Sequence, residues 1–132
     1  NLVKGGEMMK KELDDHRPIY IQIKEFIEDA ILKGTIAIGE RVPSTNELAK
    51  FYQINPATAR QGMNELVQEN ILRKQRGVGM FVTEEAIDIL TNKRKQDFYE
   101  AYILPLKEEA RKLNITNEQL LDMLKGDESD GN

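Results

Sequence analysis

Residues 44–68 read STNELAKFYQINPATARQGMNELVQ, and this stretch decides the fold. Ser44 with Glu47 three positions on is a capping box. The hydroxyl takes the backbone N–H of Glu47, and the carboxylate reaches back to the N–H of Ser44. Leu48, Ala49 and Phe51 follow at helical spacing, predicting a short helix to about Tyr52. The chain turns through Gln53 and Ile54. Asn55-Pro56 then opens a second helix, with Asn as the N-cap and Pro in the first turn, where a missing N–H costs nothing. That helix places Ala59, Met63, Leu66 and Val67 inward and ends near Asn70. Two short helices joined by a tight turn, the second starting with small and polar residues, make a helix-turn-helix.

The next residues, 71–83, read ILRKQRGVGMFVT. Ile71 to Gln75 reads as a strand, Arg76-Gly77-Val78-Gly79 as a tight turn and Met80 to Thr83 as the returning strand. A basic hairpin directly after a helix-turn-helix is a wing, whose glycines let the tip approach a sugar-phosphate backbone. Upstream, Ile19, Ile23, Phe26, Ile27, Ala30 and Ile31 form one apolar stripe on a helix begun at Pro18 and stopped at Gly34. The segment Thr35 to Val42 reads as a loop leading into Pro43.

Beyond Thr83 the composition turns helical and acidic. Ala86, Ile87, Leu90, Phe98, Ala101, Tyr102 and Leu106 predict a long amphipathic helix that Pro105 kinks or interrupts. Asn114 ends it, and Thr116 with Gln119 makes a second capping box for a short helix carrying Leu120, Leu121, Met123 and Leu124. The expected fold class is therefore mostly α with a small β-hairpin: a winged helix-turn-helix plus a short C-terminal helical dimerisation segment. The expected divisions are an N-terminal arm at 1–14 (some of it extraneous to the fold), the winged helix at 15–83, the helical segment at 84–125 and a flexible acidic tail at 126–132.

The 132 residues carry a net charge of −4, unevenly spread. Residues 1–40 are net −2, residues 41–79 net +3 and residues 80–132 net −5. The middle third presents the positive face that a polyanion meets, whatever the whole-chain balance. With no cysteine, disulfides and thiolate zinc sites are excluded. His16 is the single histidine and reads as a solvated turn residue, so no metal and no cofactor are expected. The carboxylate pairs Asp14-Asp15, Glu84-Glu85 and Glu108-Glu109 read as surface charge runs, and neither a P-loop nor a dinucleotide fingerprint is present, which argues against an enzyme. No apolar run reaches the ~20 residues of a membrane span, and no signal peptide is evident, so a cytoplasmic protein without membrane partners is expected.

Pro18-Ile19-Tyr20-Ile21-Gln22-Ile23, Gly39, Pro43-Ser44, Glu47-Leu48-Ala49, Thr58 and Gly77-Val78-Gly79-Met80-Phe81-Val82 together resemble the N-terminal domain of GntR-family regulators. Asn55-Pro56 and a helical tail of only about fifty residues look most like the YtrA subfamily, whose small C-terminal part implies dimerisation. The resemblance implies a bacterial transcription regulator, expected to repress as a homodimer on a near-palindromic double-stranded DNA operator. It leaves room for an unidentified small-molecule effector. The sequence departs from the family at Asn46 and Pro56, where many members carry arginine, while Arg60 matches a later one; base readout therefore does not transfer. The competing reading is a winged-helix protein-interaction module without DNA binding.

On this reading the second helix of the pair enters the major groove N-terminus first. Asn55, Ala57, Thr58, Arg60 and Gln61 lie on its leading turns, with Arg60 gripping phosphate or, alternatively, reading guanine bidentately. Ser44, Thr45 and Asn46 begin the preceding helix, where free N–H groups favour phosphate. Arg41 adds a phosphate contact, and Arg76 with Gly77, Val78 and Gly79 forms the wing tip at the adjacent minor groove. Phe98, Tyr102, Ile103, Leu106, Leu120, Leu121 and Leu124 exceed what a thin tail buries alone and are expected to form the dimer seam and to pack onto the first helix, the alternative being a tail folded back with no partner.

Overall fold

The computed structural model describes residues 12–126. All of the expected acidic tail at 126–132 except Gly126, and most of the N-terminal arm, lie outside them. The chain divides into two compact units, Asn1–Asn92 and Lys93–Asn132.

The first unit is built on α1 (Ile19–Leu32), α2 (Thr45–Tyr52) and α3 (Pro56–Gln68), followed by the hairpin β1 (Leu72–Gln75) and β2 (Gly79–Val82). Ile23, Ile27 and Ile31 of α1 are buried against Leu48 of α2 and Ala59, Met63 and Leu66 of α3. Spacings of three and four residues place these side chains on one stripe per helix, so three short helices share one core. Phe26 stacks on Tyr52 at 5.5 Å between ring centroids. The turn between α2 and α3 closes at Gln53, in the left-handed region at φ 56°, with the Ile54 N–H donating to the Ala49 carbonyl at 3.0 Å. That bond is a second one to a carbonyl that also accepts from the Gln53 N–H, and it closes the end of α2.

The strands pair antiparallel, with Leu72 opposite Val82 and Gln75 opposite Gly79. The strand predicted from Met80 thus begins one residue earlier. The segment read as a loop from Thr35 to Val42 differs further. Its second half lies along the outer edge of β2: Gly39 N–H donates to Val82 O at 2.9 Å, Val82 N–H to Glu40 O at 3.0 Å and Val42 N–H to Met80 O at 2.9 Å. A bridge between Arg41 and Phe81 completes a third, minimal strand. An unpaired strand edge presents open donors and acceptors, and this segment satisfies them although Gly39 and Pro43 hide the pairing from sequence patterning.

Ala86 and Leu90, at the start of α4 (Ala86–Phe98), are fully buried in the core of the first unit, so that unit reaches past the division expected at Thr83. Ile87, expected on the inner stripe, is exposed.

In the second unit, a π-helical turn (Tyr99–Ile103) leads into α5 (Leu104–Lys112) and, after a short connection, α6 (Asn117–Lys125). The interruption expected at Pro105 takes the form of that π turn. Proline lacks an N–H and crowds the carbonyl four residues back, and a widened turn accommodates both defects. Asn114 closes α5 at φ 57°. Thr116 and Gln119 form the predicted capping box, with bonds of 2.8 and 3.1 Å. Among the described residues, no helix is long and apolar enough to cross a membrane, and no cluster of His, Asp or Glu could hold a metal ion.

Candidate nucleic-acid interface

Three elements of the first unit converge on one open groove of about 360 Å³. Arg41, Ser44 and Thr45 supply one wall, Arg60 and Asn64 of α3 a second, and Lys74, Gln75, Gly77, Val78, Gly79 and Met80 of the hairpin a third. No carboxylate lines it. Three cations and two hydroxyls around an open concavity suit an extended anionic strand, because every such group donates hydrogen bonds.

Local sequence sets each wall. The Ser44 hydroxyl accepts from Glu47 N–H at 3.0 Å, and Ser44 N–H donates to the Glu47 carboxylate at 2.8 Å, so α2 starts at a fixed place. The Ser44 backbone hydrogen bond, assisted by its hydroxyl and by nearby Arg41, holds the Glu47 carboxyl below its usual range against the opposing effect of burial. The Ser44 hydroxyl thus accepts from the Glu47 N–H and also bonds the Glu47 carboxylate, which fixes the start of α2 beside the groove. Asn55 caps α3 by accepting from Ala57 N–H at 2.8 Å.

At the wing, Val78 N–H donates to Gln75 O at 2.9 Å across the turn, and Arg76, Gly77 and Val78 are exposed. Gly79 has φ +146°, and a Cβ there would stand 2.7 Å from Nε of Arg41. The Arg41 side chain lies across the bare glycine, and any larger residue would displace it. On β1, the Arg73 guanidinium covers the Phe81 ring at 4.9 Å, its cross-strand partner, and so is committed to the hairpin.

Two contacts seat α3. Gly62 lets α3 approach α1 so closely that a Cβ would lie 2.7 Å from the Tyr20 carbonyl oxygen. One turn along α1, the ammonium of Lys24 reaches Glu69 at 2.5 Å and Glu65 at 3.2 Å. Burial opposes the lysine charge, yet the two carboxylates outweigh it and raise its pKa above the usual value.

Of the residues singled out from sequence, Arg41, Ser44, Thr45, Arg60, Gly77, Val78 and Gly79 meet in the groove. Ala57 and Gln61 share a neighbouring exposed face of α3 with Arg60. Asn46 and Asn55 are exposed, and Thr58 is half-buried. Arg76 stands on the wing tip outside the groove lining. Lys74, Asn64, Gln75 and Met80 join the groove without having been anticipated. Strand alternation could have found Lys74, since it points opposite to Arg73. In the second unit, Phe98, Tyr102, Leu106, Leu121 and Leu124 are exposed, Ile103 and Leu120 are half-buried, and Tyr99, Leu104, Leu113 and Met123 add exposed apolar surface.

Comparison with known proteins agrees with this geometry. Residues 19–82 match the family described as bacterial regulatory proteins, gntR family. The HTH-type transcriptional regulator YhcF of Bacillus subtilis is 29% identical over 119 residues, covering 89% of this chain and 95% of that protein. The HTH-type transcriptional repressor YtrA of Bacillus subtilis is 33% identical over 98 residues, covering 74% of this chain and 69% of that one. Longer relatives are spanned over only 27%, 15% or 30% of their length. The solved structure of a GntR family transcriptional regulator from Listeria monocytogenes superposes with a TM-score of 0.71 at 33% identity, covering 86% of this chain and 97% of that one. The chain belongs to the gntR family of bacterial regulatory proteins, as a YtrA-like member with a winged helix-turn-helix DNA-binding domain.

Proposed function

We propose that the chain is a cytoplasmic transcriptional repressor that binds a near-palindromic duplex operator as a homodimer. The observation that carries this reading is the carboxylate-free groove where Arg41, Arg60 and Lys74 face Ser44 and Thr45. In use, α3 enters the major groove from its N-terminal end, and the sugar-phosphate strand bordering that groove lies between α3 and the wing. Arg41, Arg60, Lys74 and Ser44 grip phosphates, which set register but carry no sequence information. Ala57, Thr58 and Gln61 on the leading turns of α3 face base edges, where glutamine pairs with adenine and the threonine methyl meets that of thymine. Arg76 and Gly77 reach the flanking minor groove.

The dimer is supported by the second unit, where nine of the twelve exposed large apolar residues among those described lie, Phe98 and Leu124 included. Such apolar surface marks an interface. Two copies related by a twofold axis present two α3 helices to two half-sites, and the link raises affinity through effective concentration. The relative YtrA is named a transcriptional repressor, and repression by this chain follows if its operator overlaps a promoter.

Selection of bound duplexes from a random pool, with light scattering on the free protein, tests the proposal. The expected result is enrichment of an inverted repeat by a dimer. A salt-independent, sequence-indifferent interaction, or a monomer that selects a single asymmetric site, overturns it.

A further inference from the structure

The charge of the DNA-reading helix is itself anomalous. From Pro56 to its C-cap at Glu69, α3 carries one cation, Arg60, against two carboxylates, Glu65 and Glu69. A helix destined for a groove walled by phosphates is thus net negative in its own sequence. Glu65 borders the same exposed face as Ala57, Arg60 and Gln61. The opposing charge comes from α1. The Lys24 side chain is only 11% exposed, and its ammonium lies 2.5 Å from Glu69 and 3.2 Å from Glu65, each of whose side chains is 34% exposed. An exposed lysine would be dispersed by water and salt; a buried one holds its place and its neutralising effect.

We propose that Lys24, which belongs to neither the groove nor the wing, is a positioning residue for operator binding: it masks the two carboxylates of α3 from the DNA and fixes the rotation of that helix on α1. Gly62 sets how close the helices come, while Lys24 sets which face of α3 turns outward, since one ammonium must reach positions 65 and 69 together. This role rests on the DNA-binding reading above and adds a residue that touches no nucleic acid.

The test uses the full chain and the duplex that the wild-type protein selects from a random pool, with affinity measured across a salt series and melting recorded for each variant. Lys24→Met should weaken binding about twofold at low salt, the effect of one lost positive charge roughly ten ångströms from phosphate. The deficit should shrink as salt rises and screening shortens. Adding Glu65→Gln and Glu69→Gln to Lys24→Met should restore affinity, and the same pair in the wild-type background should bind more tightly than wild type. A deficit that ignores salt, or one the triple variant fails to repair, overturns charge masking in favour of simple loss of structure. If Lys24→Met does not fold, the glutamine pair alone decides, and unchanged affinity overturns the proposal. A wild-type protein that selects no duplex overturns the DNA reading and this inference with it.

Discussion

Replacing Gly62 by alanine should destabilise the protein, although glycine to alanine inside a helix ordinarily stabilises it. The ordinary gain is about 1 kcal/mol. Here the new methyl would stand 2.7 Å from the Tyr20 carbonyl oxygen and 3.6 Å from Cβ of Ile23. A carbon–oxygen contact settles near 3.3–3.6 Å, so α3 must retreat from α1 by roughly 0.6–0.9 Å. The obstacle is backbone of a buried helix, which cannot rotate aside as a side chain would. Overpacking of this kind costs about 1–3 kcal/mol. Set against the helix gain, the net loss is on the order of 1 kcal/mol, or about 4–8 °C in Tm for a domain of this size. Gly62→Val forfeits the helix gain and adds two more methyl groups, so its loss should reach about 3 kcal/mol. Thermal and urea melts of the three proteins measure this series, and duplex binding should weaken in the same order as α3 shifts. An alanine variant melting at or above the wild-type temperature would refute the argument from close approach.

Other consequences concern the interface and the charge balance. Gly79→Ala forces a side chain into a conformation that is essentially glycine-only, at about 1–3 kcal/mol, and pushes Arg41 off the wing; duplex binding should fall about tenfold, and unchanged binding sinks the assignment of Arg41. Arg60→Ala should weaken duplex binding about uniformly across sequences and reduce the salt slope by about 1, with the dimer mass by light scattering unaltered, and an unaltered band shift would remove Arg60 from the interface. A chain ending at Asn92 keeps Ala86 and Leu90 in the core and should be a folded monomer with weak operator affinity; a dimer of that length rules out the C-terminal seam. Glu47, held below its unfolded value near 4.5 chiefly by the Ser44 backbone hydrogen bond, contributes stability in full above that value and loses it as pH falls through its lower folded value. Glu47→Gln should therefore show a smaller drop in Tm between pH 6 and pH 3 than the wild type, and parallel acid limbs would contradict this.

Local chemistry made much of the fold legible. The capping boxes at Ser44 and Thr116, the Asn55-Pro56 start of α3 and the Arg76-Gly77 turn each act through hydrogen bonds or dihedral preferences within a few residues, and each stands where sequence placed it. The residues of α2, α3 and the wing proposed to meet DNA were chosen for the same reason, since a helix start and a hairpin tip favour exposure. Other features depend on residues distant in the chain. Arg73 and Lys74 are adjacent cations of one strand, yet the first is spent on Phe81 and the second lines the groove, because alternation sends them to opposite faces and only pairing tells which face is which. The third strand at Gly39–Val42 exists because β2 offers it an edge.

The amino-acid order alone therefore determined which segments become helices, where they start and that a basic hairpin follows them, since capping, periodicity and turn chemistry act over three or four residues. The tertiary structure decided which charges remain for DNA. It brought Arg41 over Gly79, set Lys24 beneath Glu65 and Glu69, and pressed Gly62 against Tyr20. Electrostatic and steric contacts operate through space, and no pattern along the chain records a distance across it.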